Sequence, residues 1–284
     1  MHSVAEYGIK RPSAGARPNK RLGQHFLRDR RVVHRIIAKA GVGKEEKILE
    51  IGAGTGVLTI PLARAVRKVI AVEKDHRLVD RLRPRLARLG IDNVVLINED
   101  ILRVDLDQVW PADGSKLNVI GNLPYNISTP LLEKLMASRN RLSRAVLMFQ
   151  AELAKRLIGT PGTKAYGAMS VLIQYNAFVA PLLNVPRTAF YPMPRIDSMV
   201  LELDFERSYP RKTGNEENFR KIVKASFAHR RKTLLNSLRT NLPALSDEII
   251  LNALQRCTMD PQRRAESYGI DDFLCLSAAL LSLS

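Results

Sequence analysis

An α/β fold, with an open and mostly parallel sheet followed by a small all-α domain, is what this chain predicts. Three observations carry the expectation. Apolar runs of strand length alternate with helical periodicity over residues 22–206, as in successive β-α-β units. One run, residues 47–51, passes directly into Gly52-Ala53-Gly54-Thr55-Gly56 and then a helix. From Arg207 onward, apolar positions recur only at helical spacing.

Size and charge bound the rest. With 284 residues and 45% hydrophobic content, the chain can bury one large core with a smaller one beside it. Lys and Arg number 45 against 28 acidic residues, and the resulting +17 points to a polyanionic partner. No apolar run is long enough to span a membrane, so no membrane partner is expected. Residues 1–21 carry Lys10, Arg11, Arg17, Lys20 and Arg21 without an apolar core, which reads as a flexible basic arm and not a secretory signal. Cys257 and Cys275 have no CxxC partner and no His cluster nearby. A disulfide framework and a metal site are therefore not expected, and the compartment reads as reducing.

After the arm, Gly23-Gln24-His25-Phe26-Leu27 leads into a helix with Val32, Val33, Ile36, Ile37 and Ala40 on one face, ended by Gly41 and Gly43. Strand 47–51 then meets the glycine turn, and Leu58, Leu62 and Ala65 continue as a helix. Glycines there let backbone approach a ligand closely. A dinucleotide fingerprint needs its third Gly one place later, where this chain has Val57. The pattern favours a nucleoside ligand without pyrophosphate, and S-adenosyl-L-methionine fits. Strand 69–72 ends at Glu73, placed to take both hydroxyls of a ribose or to stand as a solvated strand-end carboxylate. The next helix carries Arg77, Arg81, Arg83, Arg85 and Arg88, read as a solvated face. Strand 93–98 ends at Asp100 and Ile101, the first to accept from an adenine amino group and the second to pack on the ring.

Strand 117–120 delivers the chain to Gly121-Asn122-Leu123-Pro124-Tyr125, and Thr129-Pro130 is expected to start a helix, with Thr129 as its cap. The Asn122 side-chain oxygen and the Leu123 carbonyl are acceptors for an amino group, and Tyr125 offers a stacking face. The alternative is a plain strand-to-helix turn in which Asn caps, Pro stiffens and Tyr packs. Gly52, Glu73, Asp100 and Asn122, at four strand ends, outline one crevice. Further on come a helix over 130–137, a strand over 144–149, a helix over 150–157, an amphipathic stretch over 170–178 and strands over 179–185 and 199–205. The last alternates as an antiparallel strand does. Between those strands, a Pro-stiffened loop over 190–198 either holds Phe190 against a base or plugs the core with it. In 207–284, Phe219, Ile222, Val223 and Phe227 share one face, Ile249, Ile250, Ala253 and Leu254 another, and Asp260-Pro261 is expected to cap a later helix.

Together the motifs at 23–27, 50–56, Glu73, Asp100, 122–129, 164–167, 190–198 and 230–233 resemble the KsgA-type ribosomal RNA adenine dimethyltransferases. The resemblance implies a Rossmann-like S-adenosylmethionine-dependent methyltransferase domain over 22–206 and a helical RNA-binding domain over 207–284. It implies dimethylation of N6 on two adjacent adenosines in the 3′-terminal hairpin of small-subunit ribosomal RNA, on an immature 30S-type subunit, by a cytoplasmic monomer. Carried over by position, Gln24, His25, Leu27, Gly52, Gly54, Glu73, Asp100, Ile101 and Asn122 hold the cofactor. Asn122, Leu123, Pro124, Tyr125 and Phe190 hold the target base, and Arg230, Arg231 and Lys232 contact RNA. The chain departs from the family pattern at His25, where members often have Asn, and at Ala168-Met169, where Arg-Leu is frequent. Two rivals stand beside this reading: a related enzyme acting on large-subunit RNA, as the Erm methyltransferases do, and a non-catalytic assembly factor on the same fold. The 190–198 loop and the 230–233 stretch favour the small-subunit branch. Intact Asn122, Tyr125, Glu73 and Asp100 favour catalysis.

Overall fold

A computed structural model describes residues 18, 23–109 and 114–283, so nearly all of the basic arm expected over 1–21 lies outside the described residues. The chain enters through β1 (Phe26–Leu27) and α1 (Arg30–Ala40), whose first turn is capped by the Asp29 carboxylate accepting from the Arg31 amide at 2.9 Å. β2 (Lys47–Ile51), α2 (Thr59–Ala63), β3 (Lys68–Glu73), α3 (His76–Arg88), β4 (Val94–Asn98) and β5 (Leu117–Asn122) follow, close to the expected bounds. Then come α4 (Ser128–Ala137), β6 (Leu142–Gln150), α5 (Ala151–Leu157), α6 (Ala168–Asn176), β7 (Phe178–Val185), β8 (Phe190–Tyr191) and β9 (Ser198–Asp204).

Seven strands form one sheet in the order β4-β3-β2-β5-β6-β9-β7. The first five are parallel, and β9 runs antiparallel to both β6 and β7, as its alternation predicts. The order reverses between β2 and β5, because the chain steps outward through β3 and β4 before returning. Ligands of open α/β sheets bind at the carboxyl ends of strands at such a point. Side chains of alternate parity feed two cores. Ile48, Val69, Ile120 and Val146 pack under α1 and α2, while Leu49, Ile70, Val119 and Leu147 belong to the opposite cluster.

Several expectations are corrected. Thr129 does not cap α4: a 3-10 turn over Tyr125–Ile127 runs straight into that helix, and the turn carbonyls of Pro124 and Tyr125 take the amides of Ile127 and Ser128. The stretch expected to be amphipathic over 170–178 is α6, buried nearly all round, with Val171, Leu172, Ile173 and Tyr175 all inaccessible. Its outer face is covered by α7 (Glu216–Phe227), on which the other C-terminal helices α8 (Leu234–Asn241), α9 (Asp247–Arg256) and α10 (Ile270–Leu283) are built. Tyr175 meets Phe219 at 4.7 Å between ring centroids, and Phe227 lies between Tyr166 at 5.9 Å and Phe273 at 5.5 Å. There is thus no separate small core, since these helices share one apolar cluster with the sheet.

Asp260 does not cap a helix either; its carboxylate closes a turn on the Gln262 amide at 2.9 Å, and α10 begins only at Ile270. The cysteines are also corrected. Cys257 at the end of α9 and Cys275 on α10 form a disulfide with their Cα atoms 5.7 Å apart. Helix packing, not local spacing, brings them together, and the inference of a reducing compartment from cysteine spacing loses its basis.

Candidate active site

The carboxyl ends of β2, β3 and β5, with the segments after β4 and around β1, line an open cleft. Every residue predicted to hold the cofactor lines it: Gln24, His25, Leu27, Gly52, Gly54, Glu73, Asp100, Ile101 and Asn122. Backbone passes close there because side chains are missing. Gly52 has φ +80° and a Cβ on it would stand 3.2 Å from the Asn122 carbonyl, while a Cβ on Gly121 would meet the Ile51 carbonyl at 2.8 Å. β2 and β5 can therefore lie side by side and both open onto the ligand.

Glu73 is more deeply engaged than a strand-end carboxylate. One oxygen accepts from the Gly54 amide at 2.8 Å and the other from the Asp75 amide at 2.8 Å, so it ties the glycine loop to the end of β3. Burial pushes its carboxyl up, the Asp75 and Gly54 amides pull it back, and the nearby Asp75 charge pushes it up again. Asp75 itself is held low, chiefly by Arg77, which grips it through two side-chain bonds of 2.9 and 2.7 Å. At Asp100, burial works upward, but the Lys74 ammonium at 2.8 Å, the Leu102 amide and Arg103 together hold the carboxyl below its usual range. Glu50, which precedes the glycine turn, also faces the cleft, together with Phe26, Lys74 and Glu99. None of the four stands among the predicted contacts; for Glu50 the usable signal is a carboxylate inside an otherwise apolar strand.

At the mouth, Asn122 donates its amide N–H to the His25 carbonyl at 3.3 Å, which leaves Oδ1 as the acceptor end. Leu123 and Pro124 line the same opening. The His25 ring donates from Nδ1 to the Pro192 carbonyl at 2.7 Å and stacks on Tyr125 with ring centroids 5.5 Å apart. Tyr125 shares a 2.9 Å hydrogen bond with the Ser198 hydroxyl, and burial, partly offset by that bond, pushes its own hydroxyl up, so it stays neutral. One face of Tyr125 is thus covered by His25. Phe190 does not face the cleft. It pairs with Leu27 across β1 and β8, is 1% exposed and belongs to the core, which is the plug alternative. On that loop, Tyr191, Met193 and Ile196 are the apolar side chains open to solvent.

A family model described as ribosomal RNA adenine dimethylase matches residues 15–275. The chain belongs to that family. Among curated relatives, the ribosomal RNA small subunit methyltransferase A of Desulforapulum autotrophicum is 43% identical over 264 residues, 93% of this chain and 92% of the relative. That of Geobacillus thermodenitrificans is 40% identical over 93% and 91%. Among solved structures, a dimethyladenosine transferase from Plasmodium falciparum aligns with a TM-score of 0.72 at 27% identity, covering 86% of this chain and 93% of that one. The 23S rRNA methyltransferase ErmE, at TM-score 0.66 and 24% identity over 90% and 99%, shares the fold.

Ribosomal RNA adenine dimethylases use S-adenosyl-L-methionine as methyl donor, and the cleft of this dimethylase fits it. Glu50, Glu73, Glu99 and Asp100 face the cleft in a protein of net charge +17, with Lys74 already bound to Asp100. That lining suits a ligand with cationic groups and ribose hydroxyls. Arg230, Arg231 and Lys232 lie exposed on the connection from α7 to α8, and the Arg230 guanidinium reaches the carbonyl of Lys164 on the loop before α6. No helix among the described residues is long and apolar enough to cross a membrane.

Proposed function

We propose that this dimethylase converts two adjacent adenosines of the 3′-terminal hairpin of 16S ribosomal RNA to N6,N6-dimethyladenosine, acting as a monomer on an immature 30S-type subunit in the cytoplasm. The anchoring of the Asn122 amide to the His25 carbonyl is the observation that carries the chemistry. An exocyclic adenine amine is a poor nucleophile because its lone pair is delocalised into the ring. Asn122 Oδ1 and the Leu123 carbonyl, accepting its N–H bonds, favour a pyramidal nitrogen with the lone pair aimed into the cleft. The bound cofactor supplies an electrophilic methyl group on a sulfonium. The proton displaced from nitrogen leaves to water through the Asn122 side. Pro124 stiffens the turn and Tyr125 borders the opening, so most of the catalysis is positioning. After the first transfer one N–H remains for the same acceptors, and rotation about the C–N bond presents the lone pair again.

We assign cofactor contacts to the residues lining the cleft, and phosphate contacts to Arg230, Arg231 and Lys232 within a helical RNA-binding region over 207–284. The names of the relatives, small subunit methyltransferases, favour 16S over 23S RNA as substrate. The deciding experiment is digestion and mass analysis after reaction with naked 16S RNA, immature subunits, mature subunits and 23S RNA in parallel. Paired dimethyladenosines, formed best on the immature subunit, are expected. Monomethyl product alone, preference for 23S RNA, or equal activity on every substrate would overturn the assignment.

A further inference from the structure

The basic excess of this chain is not spread evenly over its surface. α1, α2 and α3 pack on one side of the sheet through Val33, Ile36, Leu62, Leu82 and Leu86, so their other flanks form a single layer facing solvent. The only acid within these helices is Asp80. α1 turns Arg31 and Arg35 outward, and Arg64, Arg67 and Lys68 stand exposed where α2 returns to β3. On α3, Arg77, Arg81 and Arg88 fall at helical spacing on one exposed stripe. Arg31 and Arg77 are held by the cap carboxylates of their own helices, Asp29 and Asp75. Among the described residues, Arg35, Arg64, Arg67, Arg81 and Arg88 have no acidic partner. Across the sheet the charges are mixed and paired: Glu133 of α4 binds Lys224 of α7 at 2.9 Å, and Arg139 binds Glu216 at 2.6 Å. One arginine-rich helix reads as a solvated face. Three adjacent helices of one sign build a field that repels itself, a cost that a polyanion removes.

The position of the layer decides which part of an RNA it meets. The cleft opens at the carboxyl ends of the strands, whereas Arg67 and Lys68 stand at the other end of β3, roughly 17–20 Å from Glu73. α3 likewise descends from Asp75, beside the cleft, to Arg88, on the order of 20 Å away. Arg230, Arg231 and Lys232 follow α7, which packs on α6 in the opposite core cluster. A strand that delivers a base to Asn122 ends at the mouth, so the lower half of the layer is left for a different segment. Its chemistry suits a duplex backbone: no Phe, Tyr or Trp lies in these helices to stack on an unpaired base. None of the large apolar side chains open to solvent lies within them either, so a lipid surface finds no anchor there.

We propose that the outward layer of α1, α2 and α3 is a second RNA-binding surface, which grips the phosphates of a double-helical segment of the ribosomal RNA outside the target hairpin. The proposal rests on the reading of folded small-subunit RNA as the substrate. Phosphate contacts carry no sequence information and fix where a protein sits on its RNA. The surface thus orients the enzyme and leaves the choice of base to the mouth.

The test compares the wild type with a variant carrying Arg35→Gln, Arg64→Gln, Arg67→Gln, Arg81→Gln and Arg88→Gln together. Arg77 and Arg85 stay in place, because Arg77 holds Asp75 and Arg85 donates to the Thr55 carbonyl of the glycine turn at 2.8 Å. Filter binding to immature small subunits over a salt series should show affinity lowered about tenfold or more, with the logarithmic salt slope shallower by about 3. Binding to an isolated RNA hairpin of the target sequence should change by less than about twofold. On immature subunits KM should rise while kcat and cofactor affinity stay near wild type. Hydroxyl-radical footprints should lose backbone protection in duplex segments outside the hairpin. Lys at the same five positions should recover most of the affinity, since a phosphate accepts a point charge in place of a guanidinium. Unchanged affinity for the subunit would make the layer a solvated face and overturn the proposal. So would an equal loss on hairpin and subunit, which is what a diffuse field produces, or a loss confined to binding of anionic phosphatidylserine vesicles. Those three outcomes leave the substrate reading standing. A wild type that modifies 23S RNA and not the immature subunit would overturn that reading, and the assignment of this surface to small-subunit RNA with it. Should the fivefold variant not fold, Arg81→Gln with Arg88→Gln gives the same comparison on one stripe, with the slope shallower by about 1–2.

Discussion

In the cofactor cleft, Glu50 is buried without a partner, Gly52, Gly54 and Gly56 hold left-handed backbone, and carboxylates crowd one wall. In the C-terminal helices, Asn215, Thr233 and Ser246 each cap a helix through their own side chains, a disulfide joins α9 to α10, Phe219 packs on Tyr175 of α6, and Phe227 lies between Tyr166 and Phe273. The same chain thus builds one region that carries a buried carboxylate without a geometric hydrogen-bond partner and another whose buried polar side chains are satisfied. Stability held in the second offsets what the first gives up, and binding energy recovers it when the cleft fills.

The sharpest way to break that comparison is to remove the stabilising region. A chain ending at residue 206 would expose Tyr166, Tyr175 and the outer face of α6, so it should lose cooperative unfolding altogether in urea. A fragment that unfolds cooperatively and binds cofactor would show that the shared core is dispensable. Asn122→Ala probes the opposite extreme. Rapid-quench measurement of methyl transfer should show a fall on the order of 10² or more with cofactor affinity near wild type. Substantial residual turnover would make the amide a mere turn-former.

Glu50→Gln measures what the cleft withholds from stability. A carboxyl raised to about 7 costs the empty fold nothing below its ordinary value of 4.5, and the penalty grows as pH climbs through 7. Denaturation in the absence of cofactor should therefore show the variant gaining about 3 kcal/mol on the wild type between pH 4.5 and pH 8. A pH-independent difference would remove Glu50 from the account. Glu73→Ala should act in the other direction, since it leaves the Gly54 and Asp75 amides without their acceptor; about 2 kcal/mol of stability and most cofactor affinity should go. The smallest effect is expected from replacing Arg230, Arg231 and Lys232 together by Gln. RNA affinity should drop roughly tenfold for all sequences alike, with a shallower salt dependence in filter-binding assays and cofactor binding unchanged.

Much of the site was legible because its parts are local. A glycine turn after an apolar strand, or an acid where a strand stops, is written in a few consecutive residues, and the parallel order of β2, β3, β4 and β5 brings those stops together. Residues that act across the fold were not legible. Leu27 pairs with Phe190 and sends that ring into the core, His25 covers a face of Tyr125, and Glu73 serves the glycine loop before any ribose.

The sequence by itself determined the alternation of strands and helices, the switch to helices after Arg207, and the residues placed at the strand ends. Periodicity and turn chemistry act over distances of a few residues, and one chain is enough to read them. Only the tertiary structure decided that the C-terminal helices share a core with the sheet, that Cys257 meets Cys275, and that Glu50 ends without a partner. Each of those depends on which surfaces pack against each other, and a helical stripe records that it must be covered without recording by what.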